Sequence, residues 1–377
     1  MNKIDEMIRE LCPEGVKRVK LGEVAALSRG KVISKDYLRE HEGSYPVYSS
    51  QTTNKGIMGC IDSYAYDGEY LTWTTDGAYA GTVFRRKGQF SITNVCGLID
   101  IIDKKTLSLD FLYYWLSITA KKNVSEGMGN AKLMSNVMEK IEIPLPPLAI
   151  QQEIVSILDS FSSLQSKLEE ELAVRQKQME FYREKLLTFD KDDNSVKWMK
   201  LGEVGDVCMC RRILKQQTST DGEIPFYKIG TFGKLADAYI SDELYREYKE
   251  KYKFPKKGEI LISAAGTIGR TVVYDGEPAY FQDSNIVWIS NDEKNVYNTF
   301  LSYVYSVAKW DVDNGGVVAR LYNSNISRTI IPVPPLSRQQ EIVSTLDTMS
   351  SLIDKLKEEI ELRKKQYEYY REALLSF

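Results

Sequence analysis

Residues 143–189 read IPLPPLAIQQEIVSILDSFSSLQSKLEEELAVRQKQMEFYREKLLTF, and residues 331–377 read IPVPPLSRQQEIVSTLDTMSSLIDKLKEEIELRKKQYEYYREALLSF. Aligned without a gap, 30 of these 47 positions are identical. A shorter pair agrees: VKRVKLGEV at 16–24 and VKWMKLGEV at 196–204. The chain therefore runs globular segment, helical segment, globular segment, helical segment. A duplication of this period sets the architecture before any local pattern does.

Pro146-Pro147 and Pro334-Pro335 bar a helix upstream of each copy. No Gly or Pro follows as far as residue 189 or residue 377. In the first copy apolar residues recur at Ile150, Ile154, Ile157, Phe161, Leu164, Leu168, Leu172, Met179, Tyr182 and Leu186. The second gives Ile342, Met349, Leu352, Leu356, Ile360, Tyr367, Tyr370 and Leu374. Steps of mostly 3 and 4 mark an amphipathic helix. Both copies take two successive steps of 4, a stutter that locally unwinds a left-handed supercoil. Each helix spans about 40 residues and so about 60 Å. A single stripe that long needs a partner, and the simplest is the other copy in an antiparallel coiled coil. The short linker 190–195 would then leave a globular domain at each end of a rod, related by a pseudo-two-fold axis. A short helix at 4–11, within residues 1–15, would complete the symmetry. A plain spacer or dimerisation stalk is the alternative for these helices.

The two globular segments, 16–142 and 196–330, read as mixed α and β, making the chain an α+β protein. Strands are expected at YPVYSS, YLTWTT, GTVFRR and CGLIDII, then at IPFYKIG, EILISAA, RTVVYD and IVWIS. Each segment ends in a helix-like stretch, DFLYYWLSI or TFLSYVYSV, before a Gly-containing loop. The copies agree at their edges and differ in their middles. Phe90 to Asn94 aligns with Phe281 to Asn285, and the loops TTDGAYAGT and SAAGTIGRT occupy corresponding places. One scaffold with two loop sets points to one task performed on two targets.

Composition excludes more than it assigns. No apolar run approaches the roughly 20 residues that span a bilayer, and the charged opening MNKIDEMIREL lacks a signal core. Five cysteines without a framework pattern fit a reducing cytoplasm. The net charge of −3 hides a division. Segment 16–142 holds 17 Lys and Arg against 14 Asp and Glu, a net of +3, and segment 196–330 holds 18 against 17. His41 is the single histidine, which argues against a His-based triad or multi-His metal site. Cys208 and Cys210 read as buried strand cysteines, and Asp242, Glu247 and Lys249 as a solvated helix face. No P-loop and no Asn/Asp-Pro-Pro-aromatic stretch appears, so no cofactor is expected.

The doubled (I/L)P-x-PP-L-x-x-QQ-E-I-V-x-x-L-D run, each followed by a long helix with Tyr-Arg-Glu near its end, closely resembles the specificity subunit of type I restriction-modification systems. The openings KLGEV at Lys20 and Lys200 fit, as do Ala264 to Gly269 (AAGTIG) and Asp76 to Gly81 (DGAYAG). The resemblance covers essentially the whole chain. It implies two target-recognition domains that each read one half of a bipartite double-stranded DNA site. It implies helices that act as a ruler and dock two methyltransferase subunits, with ATP-dependent restriction subunits joining that core. It also implies a chain that is not itself an enzyme. The loops that define the target vary, so no base-reading residue transfers.

Phosphate contacts position such a protein and base contacts specify its site. Phosphate candidates are Arg29, Lys31 and Lys35 in the first domain and Arg211, Arg212 and Lys215 in the second, with Lys132 and Arg320 in the loops before the helices. Readout candidates are Ser49, Gln51, Thr52, Asn54, Thr74 and Asp76, then Lys228, Ser263, Thr267 and Arg270. Gln and Asn suit adenine edges, and Arg and Lys suit guanine. Two alternatives stay open: a non-DNA coiled-coil scaffold with two protein-binding heads, and a chain with a cryptic nuclease or methylase activity.

Overall fold

The computed structural model describes residues 3–125, 130–313 and 319–377. The chain divides into two compact units, one formed by residues 1–169 with 359–377 and the other by residues 170–358.

In the first unit, the helix Lys3–Leu11 buries Ile4. The strand Arg18–Lys20 then pairs antiparallel with Glu142–Pro144, Val19 opposite Ile143. A six-stranded sheet follows in the order Ala25–Arg29, Cys96–Ile101, Tyr66–Thr74, Val83–Ile92, Glu42–Tyr48, Ile57–Ile61. Its neighbours are antiparallel except Glu42–Tyr48 beside Val83–Ile92, where Tyr48 faces Ile92 in parallel. Ser108 starts the helix Leu109–Thr119 by accepting a hydrogen bond from the Phe111 N–H at 3.4 Å. That helix buries Phe111, Leu112, Tyr114, Trp115 and Leu116 against Leu71, Trp73 and Ile99 of the sheet. Gly97 is required here, since a Cβ would lie 2.2 Å from the Trp73 ring.

The second unit repeats the plan with shorter strands. Lys197–Lys200 pairs antiparallel with Ile330–Val333. A four-stranded sheet runs Gly205–Met209, Ile286–Asn291, Ile260–Ser263, Thr271–Val273. A three-stranded one runs Tyr239–Ile240, Ile224–Tyr227, Tyr280–Phe281, and Tyr227 faces Phe281 in parallel. The helix Asn298–Val307 covers the core as Leu109–Thr119 does in the first unit. The charged run DELYREYKEKYK forms the helix Asp242–Lys251, capped by Ser241, with Tyr245 buried. Cys208 and Cys210 are buried free thiols.

Strand pairing corrects one alignment made from the sequence. The Thr93 N–H donates to the Tyr48 carbonyl at 2.9 Å, and the Gln282 N–H donates to the Tyr227 carbonyl at 2.9 Å. Ile92, not Phe90, therefore stands where Phe281 stands. The shared Phe-x-x-x-Asn spelling is out of register by two residues at its Phe and by one at its Asn, because backbone pairing rather than residue identity fixes register.

The repeated segments form the helices Leu148–Leu187 and Leu336–Leu374, of 40 and 39 residues. Each is fastened to the domain preceding it by the same polar clamp. Gln151 is fully buried; its Oε1 accepts from the Ser108 N–H at 2.8 Å, and its Nε2 donates to the carbonyls of Thr106 at 2.9 Å and Pro146 at 2.8 Å. Gln339, also fully buried, accepts from the Tyr297 N–H at 2.9 Å and donates to Asn295 at 2.9 Å and Pro334 at 2.8 Å. Two turns on, Asp159 accepts from the Tyr114 hydroxyl, and Asp347 accepts from the Tyr303 hydroxyl. Burial, and then the carboxylate, push both phenols upward and keep them as donors. The first unit adds Arg85, which pairs with Asp110 at 2.8 Å and Asp159 at 3.3 Å and lies 4.3 Å over the Tyr113 ring. Among the described residues no helix is long and apolar enough to cross a membrane.

Candidate nucleic-acid interface

In the first domain, the loop 74–82 and the segment around Lys132 meet at one end of the sheet's strands. Asp76 and Ser125 each bridge to Lys132 through the backbone, and the Leu133 N–H donates to the Thr75 carbonyl at 2.9 Å. The buried Trp73 indole donates to the Leu133 carbonyl at 3.0 Å, which anchors this segment to the sheet. Arg29, at the end of its strand, donates to the Thr75 hydroxyl at 2.8 Å and pairs with Asp76 at 3.4 Å. Lys132 lies 3.9 Å from the other Asp76 oxygen. Arg29, Asp76 and Lys132 thus form one cluster with an excess of one positive charge.

The second domain builds the same backbone arrangement with other side chains. Ala265 and Asp313 bridge to Arg320, and the Leu321 N–H donates to the Ala264 carbonyl at 2.9 Å. Arg320 therefore occupies the place of Lys132, as the sequence pairing expected. Its guanidinium donates to Asn285 Oδ1 at 3.0 Å and Ser284 Oγ at 3.3 Å. Arg212 sits 3.6 Å from Asp283, and the Arg270 guanidinium donates to the Phe232 carbonyl at 3.0 Å. The loop residues 315–318 before Arg320 lie outside the described residues.

The remaining candidates fall into distinct settings. Lys31, Lys35, Arg211 and Lys215 are exposed. Lys31 bridges to Thr93, Lys35 opens the helix Lys35–Glu40, and the Arg211 guanidinium lies 5.3 Å over the Tyr252 ring. Ser49, Gln51, Thr52 and Asn54 share the loop 49–57, closed by the Ser49 N–H on the Gly56 carbonyl at 3.0 Å and by Gln51 Nε2 on the Ile57 carbonyl. Thr267 is exposed, and Lys228 pairs with Asp237 at 2.8 Å.

Two candidates do not face outward. Thr74 is fully buried, its hydroxyl donating to the Tyr79 carbonyl and accepting from the Thr82 N–H at 3.0 Å. Ser263 is 1% exposed; its hydroxyl donates to the Thr267 carbonyl and accepts from the Arg270 N–H at 2.9 Å. Both hydroxyls satisfy backbone groups inside the turn, so these residues shape the loops instead of presenting a polar edge.

The family model for the type I restriction modification DNA specificity domain matches residues 13–174 and again residues 194–362. The chain belongs to this family of specificity subunits. A type I restriction enzyme specificity subunit of Haemophilus influenzae is 46% identical over 350 residues, which cover 89% of each chain. A type I specificity subunit of Mycoplasma pneumoniae is 32% identical over 368 residues, covering 96% of this chain and 98% of its own. The crystal structure of the type I restriction-modification S subunit from M. genitalium superposes over 96% of both chains with a TM-score of 0.61 at 16% identity. The S subunit from Thermoanaerobacter tengcongensis covers 95% of this chain with a TM-score of 0.53 at 16% identity. At those identities the structures establish the shared fold.

Three features of this specificity subunit escaped the sequence reading. The Gln151 and Gln339 clamps carried a signal, since the Gln-Gln pair recurs at the same place in both copies. So did Asp159 and Asp347, the invariant Asp of the doubled run. The third is Arg86. Alternation in VFRRK puts Arg85 and Arg86 on opposite faces, and Arg86 points inward, only 6% exposed. Burial holds its guanidinium below the ordinary arginine value, with Tyr48 and Cys96 as the neighbours that oppose this.

Proposed function

We propose that this chain is the DNA sequence-recognition subunit of a type I restriction-modification complex, with each domain reading one half of a bipartite target. The long helices would pair as an antiparallel coiled coil that sets the gap between half-sites and docks two methyltransferase subunits, and ATP-dependent restriction subunits would join that core. The observation that carries this reading is the repeated loop arrangement: Asp76 with Lys132, and Ala265 with Arg320, share backbone pairing and differ in side chains. A shared backbone arrangement carrying different side chains is what two different base sequences require.

The pairing of helices has its own support. Within the first unit Phe161 stacks on Tyr370 at 5.2 Å, and Glu169 acts on Lys364. One residue number rises as the other falls, the order of antiparallel neighbours. For catalysis, the sequence carries no P-loop and no methyl-transfer motif, so the methyl donor and ATP chemistry belong to the partners on this reading. The complex would act in the cytoplasm, where its DNA lies.

The test is duplex binding by the assembled modification complex across a salt series. A DNA-reading subunit gives sequence-selective binding whose log K falls linearly with log salt. A protein scaffold with two heads gives no such binding, and that result would overturn the proposal.

A further inference from the structure

The Arg86 guanidinium is buried beneath the loop 49–57 without a full set of partners. Its Nε donates to Thr72 Oγ1 at 3.0 Å, and Nη1 donates to the Lys55 carbonyl at 2.8 Å. Its plane lies 3.6 Å from the Tyr48 ring centre and 4.4 Å from that of Phe84. Among the described residues Nη2 has no hydrogen-bond partner. Among the described residues no carboxylate acts on this cation. A buried charge normally has a paired opposite charge, and arginine cannot shed its proton to escape the cost.

The cover over Nη2 is unusual as well. Asn54, Lys55 and Gly56 take φ values of 49°, 53° and 84° in succession. For lysine that region carries a steric cost, so the turn carries strain at Lys55. A Cβ at Gly56 would lie 2.8 Å from Nη2, so only a glycine can sit over it there. The cation without a carboxylate partner thus lies under a strained turn.

We propose that Arg86 binds a phosphodiester oxygen of DNA at the first half-site, reached when the loop 49–57 lifts from Nη2. The inference rests on the DNA-recognition reading above. A base edge would satisfy the N–H but leave the charge unbalanced, whereas a phosphate oxygen does both. The anchor belongs to one domain only. Register places Tyr274 at the position of Arg86, because Phe84 faces Thr72 as Val272 faces Leu261. There the space beside Tyr227 is a cavity of about 210 Å³ lined by Val272, Tyr274 and Phe281.

The experiment uses the assembled modification complex and its cognate duplex, with Arg86→Met and Arg86→Lys variants. The expected result is a salt slope shallower by about 0.9 for Arg86→Met and unchanged for Arg86→Lys. One methylphosphonate linkage in the first half-site should weaken the unmodified protein about tenfold and leave Arg86→Met unaffected. If Arg86→Met does not fold, hydrogen exchange on the unmodified complex decides: amides of 49–57 should exchange faster with DNA bound. Equal slopes, no discriminating methylphosphonate, or slower exchange in 49–57 would each overturn the proposal. Loss of methyltransferase assembly with DNA slopes unchanged would give the anion to a protein carboxylate and overturn it too. If the unmodified complex shows no salt-dependent binding at all, the DNA-recognition reading itself fails, a distinct outcome.

Discussion

Replacing Gln339 by Leu should loosen the second domain from its helix by an amount the geometry sets. Leucine has nearly the same bulk and none of the polar atoms. Three hydrogen bonds disappear: from Tyr297 N–H at 2.9 Å, and to the carbonyls of Asn295 and Pro334 at 2.9 and 2.8 Å. A net loss of roughly 1 kcal/mol per bond, with the stranded N–H adding more, gives about 3–5 kcal/mol. In a unit of this size the melting temperature should fall by roughly 10 °C. Gln151→Leu should cost about the same in the first unit, because its three bonds match in kind and length. Calorimetry gives the total, and hydrogen exchange at residues 106–109 and 295–298 locates it. Loss below about 1 kcal/mol in both variants would refute the clamp.

Further outcomes follow from the same structure. Arg320→Ala should weaken DNA binding by the complex almost equally for all sequences and lower the salt slope by about 1; a loss confined to one base position would make it a base reader. Burial pushes the Cys96 and Cys210 thiols up to about 12 from 9.0. At pH 8 these two should resist alkylation in the folded chain while the partly exposed Cys12 and Cys60 react, as peptide mapping would show. Because both folded values are raised, the stability they lend is complete below about pH 9 and is lost as pH rises towards 12; a midpoint in urea that rises over that range would contradict this. Inserting one heptad after both Glu169 and Lys357 keeps the apolar seam in phase and adds about 10 Å. The preferred gap between half-sites should grow by about three base pairs, while an unchanged gap in a folded, assembled protein would deny the helices their spacing role.

Much of this was legible in the sequence because it rests on period. The steps at Leu164, Leu168 and Leu172 announce a helix, and the structure has one over Leu148–Leu187. Runs such as YLTWTT and EILISAA overlap the strands Tyr66–Thr74 and Ile260–Ser263, where apolar residues face the core. What was not legible depends on tertiary partners. Gln151 looks like a solvated side chain until the carbonyls of Thr106 and Pro146 appear beside it. Thr74 and Ser263 look like readout groups until their turns fold back on them. Asp76 looks free until Arg29 and Lys132 close on it. Polar residues in loops carry no periodic signal, so only the fold separates those that brace a loop from those that face outward.

On the proposed function, two independent domains read two halves of one target. Exchange residues 16–142 for the equivalent segment of another specificity subunit, assemble the chimera with its methyltransferases, and map the methylated bases across a genome. One half of the recognised sequence should change to that of the donor, with the other half and the gap retained. If both halves changed together, or neither did, the two-domain account of recognition would be contradicted.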